Sequence, residues 1–107
     1  MGDQAGAGGE CSAGFESEFM KTHLLKTDPK PFQDVWDSVK SFEIRKDDRD
    51  FEVGDRIILQ ETTHTGQEMK SGAQLAYTKR EISCLIAHIM RGPIYGLANG
   101  WVIMSIN

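Results

Sequence analysis

The sequence predicts a small α+β fold, a mixed β-barrel with one early helix packed beside it. Three observations predict it. Phe32, Val35, Trp36 and Val39 fall at i, i+3, i+4 and i+7, the spacing of one buried helical stripe. The runs that follow are short and either alternate with period two or stay continuously apolar, as strands do. A chain of 107 residues supports a single core and not a second one.

In chain order, His23 to Lys26 is predicted as a first strand, cut off by the turn Asp28-Pro29-Lys30-Pro31. The helix is predicted over Pro31 to Lys40, with Pro31 in its first turn. After Ser41 the period changes to two. Phe42 and Ile44 are expected to face the core, while Ser41, Glu43 and Arg45 share the opposite face with Lys40 at its rim. Lys46 to Asp50 is too charged to bury and reads as a loop, and Phe51 and Val53 approach a turn at Gly54-Asp55. Arg56 to Thr62 is the clearest strand, apolar enough at its centre to pack on both faces. His64 to Gln74 reads as a long, mobile loop. From Tyr77 to Met90 the pattern fits a helix through Ile82, Leu85, Ile86 and Ile89, and fits a strand equally through Ile82, Cys84, Ile86, His88 and Met90. The isoleucine content favours the strand. Gly92-Pro93 ends this element, Asn99-Gly100 is a hairpin-type turn, and Trp101 to Ile106 is the last strand.

Residues 1–19 are expected to be a disordered leader, glycine-rich and without apolar periodicity, ahead of a domain spanning 20–107. The net charge of -4 arises entirely from Asp3, Glu10, Glu16 and Glu18 of that leader, so the body is neutral. Neutrality argues against a broad basic surface that would bind any duplex through its phosphates, and leaves room for a local cluster. Cys11 and Cys84 form neither a disulfide framework nor a C-x-x-C metal site. Neither His64 in the polar loop nor His88 in the apolar run has a partner at metal-ligand spacing, so no metal is expected, and no cofactor is expected either. The chain has no Gly-rich phosphate loop, no G-x-S-x-G elbow and no H-E-x-x-H pair. With no run of about 20 apolar residues and no signal segment, a soluble cytoplasmic protein without membrane association is expected, a monomer by default.

Read from spacing alone, Lys40, Glu43 and Arg45 describe an exposed strand face whose ion pair is worth about 0 to 1 kcal/mol. The run Lys40-Ser41-Phe42-Glu43-Ile44-Arg45 also resembles the G-x-K-x-x-E-x-R signature of the ASCH family within the PUA-like superfamily. Ser38 stands where that family usually has glycine. The resemblance continues through His23-Leu24-Leu25-Lys26, Asp48-Arg49-Asp50-Phe51, Val53-Gly54-Asp55 and Gly100-Trp101-Val102-Ile103. It is closest to a small subgroup of unassigned function in bacteria and their phages. The resemblance implies a PUA-like barrel with a cleft beside the helix, in which Lys40 and Arg45 hold phosphate or carbonyl oxygens and Glu43 accepts from a base. It places His23 near the same cleft, with Lys26 on the same strand. Arg49 would extend the cleft towards a phosphate, although Asp48 and Asp50 beside it also suit a simple charged turn. Tyr95, in a glycine-flanked loop, is the expected stacking surface, whereas Trp101 alternates with Val102 and reads as core.

The implied function is binding of nucleic acid, RNA above all, or of a nucleotide. The alternative is a small amidohydrolase, because some compact ASCH relatives remove an acyl group from cytidine with a lysine, a threonine nucleophile and a glutamate. Lys40 matches their lysine, but Glu43 stands where they carry the threonine and cannot supply a hydroxyl nucleophile.

Overall fold

The computed structural model describes residues 20–107, so the expected leader over 1–19 lies outside the described residues. Strand β1 (Thr22–Thr27) alternates strictly, with His23, Leu25 and Thr27 turned inward. Helix α1 (Pro29–Trp36) starts and ends earlier than its apolar stripe suggests. Pro29 and Pro31 fall in its first turn, where an N–H has no intrahelical partner to lose.

The end of α1 is a Schellman turn. The Val39 N–H donates to Asp34 O at 2.9 Å, and the Ser38 N–H to Val35 O at 3.0 Å. The motif requires a left-handed residue just past the helix C-cap, and Ser38 takes that conformation with φ +61°. Of the predicted stripe, Phe32 is buried and Val35 packs on the core, but Trp36 is 50% and Val39 78% exposed. The helix stops before the stripe can turn Val39 inward.

Strand β2 (Phe42–Lys46) faces opposite to expectation. Phe42 and Ile44 are 42% and 47% exposed, whereas Glu43 is 3% exposed. The neighbouring strand sets this orientation: Glu43 lies directly opposite Met104, which is fully buried, and residues directly opposite share a face of a sheet. The inward carboxylate is tolerated because it has cationic partners.

Strand β3 (Arg56–Thr62) has the predicted bounds, with Ile57 and Leu59 in the core and Ile58 half-buried. Within the expected 64–74 loop lies a short helix, α2 (Gly66–Lys70). Its start is a capping box: Thr65 Oγ1 accepts from the Glu68 N–H at 3.0 Å, and Glu68 Oε1 accepts from the Thr65 N–H at 2.8 Å. The ambiguous segment is a strand, β4 (Tyr77–Arg91), followed by β5 (Trp101–Ile106). Between them Gly92 is packed so tightly that a Cβ would lie 2.0 Å from Ala98 O, so no larger residue fits without moving the backbone.

The five strands form one mixed sheet in the order β1-β3-β4-β5-β2. The pair β1 and β3 is parallel, and the other pairs are antiparallel. The long strand β4 pairs with β3 through Tyr77 to Leu85 and with β5 through Ile86 to Arg91, with a register shift between Ile86 and His88. Such a shift increases local twist and bends the strand. Leu25, Phe32, Phe51, Ile57, Leu59, Ile86 and Met104 fill the core. Among the described residues the fold is thus α+β, a five-stranded mixed sheet with two helices, and its ladders end at the edge strands β1 and β2.

Candidate functional site

The edges of β1 and β2 are joined by arginine side chains. Arg45 Nη1 donates to Lys26 O at 2.8 Å, and Arg45 Nη2 donates to Thr27 Oγ1 at 3.0 Å. Further along the same edge, Arg49 Nη1 donates to Leu24 O at 3.0 Å. Because the residues of an edge strand leave carbonyls without ladder partners, a guanidinium with several in-plane donors is well suited to occupy them.

This seam gathers most of the predicted site. Lys40 Nζ donates to Glu43 Oε2 at 2.6 Å, and Arg45 Nε to Glu43 Oε1 at 3.1 Å. The Schellman turn delivers Lys40 to this position, and the inward orientation of β2 delivers Glu43 and Arg45. The turned-out ring of Phe42 lies 5.0 Å from Lys40 Nζ. Together with Lys26, Pro31 and Ile44 these side chains line a shallow cleft of about 320 Å³. On the other side of Arg45 a second shallow cleft of about 360 Å³ is lined by Lys46, Asp48, Arg49, Phe51 and Trp101, sharing Ile44 and Arg45 with the first.

Two predicted site residues lie elsewhere. His23 is buried, its Nε2 2.8 Å from Asp55 Oδ2 and its ring 4.8 Å from that of Phe51. Asp55 also accepts the backbone N–H groups of Lys21 and Glu52. Burial pushes the Asp55 carboxyl up, but the His23 hydrogen bond and those two N–H groups hold it below its ordinary value. The His23–Asp55 pair fixes the start of β1 against the Gly54 turn and lines neither cleft. Tyr95 is 89% exposed within the turn closed by the Ile94–Leu97 bridge, and it too lines neither cleft. The exposed aromatic rings lining the clefts are instead Phe42 and Trp101, which the sequence pattern assigns to the core.

A further charged cluster was not foreseen. Arg80 grips Glu61 through Nε at 2.9 Å and Nη2 at 3.0 Å, while Thr78 Oγ1 donates to Glu61 Oε1 at 2.7 Å. The Arg80 guanidinium stacks 4.6 Å from the Trp36 ring and donates to Gln33 Oε1, tying α1 to the sheet. These bonds hold the Glu61 carboxyl below its ordinary value despite burial, with the Arg80 hydrogen bond the main cause. Nothing local in the sequence signals this contact, because Arg80 lies forty-four positions after Trp36 and on another element.

Inside the sheet, Cys84 is buried and its thiol is pushed up to about 11, first by burial and then by the negative Glu43. Among the described residues no group of three or more His, Cys, Asp and Glu side chains is placed to hold a metal ion. Among the same residues no helix is long and apolar enough to cross a membrane.

Fold and site together define a small α+β domain with a charged, aromatic-flanked seam between two edge strands. Over residues 22–106 the chain matches a family described as a domain of unknown function (DUF3850), and it belongs to that family. Comparison with curated proteins gives no match.

Proposed function

We propose that the protein binds nucleic acid, RNA in particular, through the Lys40, Glu43 and Arg45 cleft. The observation that carries this reading is the outward position of Phe42 beside Lys40, above a buried carboxylate. An exposed ring provides a face on which an unpaired base stacks, Lys26 stands exposed for a phosphate, and a base edge or a second phosphate reaches Glu43 or Lys40 by displacing one arm of their 2.6 Å ion pair. Arg49 contributes from the adjoining cleft. Two features support kinship with ASCH domains and the PUA-like barrel. The left-handed Ser38 stands where those domains usually have glycine, and the facing edges bridged by arginines resemble a barrel left open at one seam.

Binding is favoured over hydrolysis of an acylated cytidine because Glu43 is engaged as an ion-pair partner at the position of the expected hydroxyl. Thr27, the nearest hydroxyl in the cleft, already donates to Leu25 O. Residue-resolved NMR titration of the full chain with single-stranded RNA, duplex RNA and a nucleoside panel tests the proposal. Single strands should shift Lys40, Phe42 and Glu43 with a salt slope of only about 1 to 2, from two or three phosphate contacts at about 0.7 each. Absence of shifts with every nucleic acid would overturn the reading. Acyl release from an acylated cytidine, lost in Lys40→Ala, would replace it with catalysis.

A further inference from the structure

We infer that the second cleft of the seam is a second base subsite, and that the ligand is a single strand of at least three nucleotides rather than a free nucleotide. This inference rests on the reading of the Phe42 cleft as a base site. Ile44 and Arg45 border both clefts, so the two form one track divided by a guanidinium. Each half has an outward ring at its wall: Phe42 in the first, and Trp101, 37% exposed, in the second.

The register fixes their spacing. Trp101 lies opposite Lys46, so the backbone positions that carry the two rings are offset along the strand direction by the four steps from Phe42 to Lys46. At the usual strand rise this is about 13 Å. Bases stacked as in a duplex strand rise only about 3.4 Å each. Stacked bases would need about four such steps to cover the span, whereas three nucleotides cover it in two steps of about 6.5 Å. A three-nucleotide ligand touching both rings is therefore unstacked and extended with its middle nucleotide crossing Arg45, and a duplex has no unpaired base to offer.

The second cleft also discriminates. Its wall carries Asp48, whose Oδ1 is 3.5 Å from Arg49 Nε, beside Lys46. A phosphate is repelled by that carboxylate and goes to the cations. An exocyclic amino group, as on cytosine or adenine, donates to the carboxylate. The subsite should thus take an amino-bearing base over Trp101 in preference to uracil.

The test uses Trp36→Phe, which leaves Trp101 as the sole tryptophan of the full chain. Its fluorescence is titrated with CMP and with oligocytidylates of two, three and six nucleotides. We expect CMP to bind without quenching, and three nucleotides to bind at least about tenfold more tightly, about 1.4 kcal/mol, with quenching of Trp101. A further Trp101→Ala change should remove that gain and leave CMP affinity unchanged, while Trp101→Phe should retain the gain. Oligouridylates should gain less than oligocytidylates. CMP binding with no gain on lengthening would overturn the second subsite and leave the Phe42 site standing. Equal weakening of CMP and oligomer by Trp101→Ala would overturn it as well, and no binding of any ligand would overturn both.

Discussion

Glu43 accepts from Lys40 at 2.6 Å while only 4% of the glutamate side chain is open to solvent. An ion pair first read as a solvated strand face is therefore part of the interior. Removing the lysine leaves a buried carboxylate with Arg45 as its remaining partner. Lys40→Ala is expected to destabilise the fold by about 1 to 3 kcal/mol, below the 3 to 5 of a carboxylate stripped of all partners. Adding Glu43→Gln should recover more than half of the loss. Urea unfolding of both variants checks this, and a neutral Lys40→Ala would place Glu43 in water.

Phe42→Ala should cost less than about 1.5 kcal/mol, because the ring is already 42% exposed. Phe51→Ala, by contrast, empties a fully buried site and should cost about 3 to 5 kcal/mol. The two denaturation midpoints, compared at equal slope, show which phenylalanine is core.

Ser38 holds a left-handed backbone that glycine adopts without steric cost. Ser38→Gly is expected to stabilise by about 0.5 to 1 kcal/mol, raising the thermal midpoint by about 2 to 8 °C. A lower midpoint would mean that the serine side chain contributes a bond the Schellman geometry does not need.

Asp55 and Glu61 both have pKa values lowered in the folded state from their ordinary values of 3.8 and 4.5. A depressed folded pKa gives stability that is complete above the ordinary value and is lost as pH falls through the folded one. Acid unfolding should therefore begin as pH drops below about 4.5. Asp55→Asn should be less stable at neutral pH yet lose less on acidification. Chemical denaturation from pH 7 to 3 provides the comparison, and parallel profiles would exclude Asp55 from the linkage.

Most of the fold was legible because strand length and apolar content are local properties. The run from Arg56 to Thr62 needed no neighbour to be recognised. What escaped is set by neighbours. The facing of β2 depends on Met104 lying opposite Glu43, sixty-one positions away in sequence, and on cations able to satisfy an inward carboxylate. Alternation around Phe42 and Ile44 favours the apolar pair inward, and the cations available to Glu43 override it. The α2 start was readable in principle from Thr65 and Glu68, but a five-residue helix leaves no periodicity to support it. At the site, the Lys40, Glu43 and Arg45 spacing identified a true cluster. His23 and Tyr95 lie off both clefts because Asp55 and the Ile94–Leu97 turn, outside that motif, decide where they sit.

The arginine-bridged edges also bear on how copies of the chain behave when concentrated. An open strand edge is a template on which another molecule can extend the sheet, the first step towards insoluble aggregates. On β1, Leu24 O and Lys26 O are already taken by Arg49 and Arg45. An intruding strand would have to displace two guanidinium groups and bury their charge. The same residues that outline the seam thus act as gatekeepers for colloidal stability, and charge-removing changes at Arg45 and Arg49 would expose the edge to self-association.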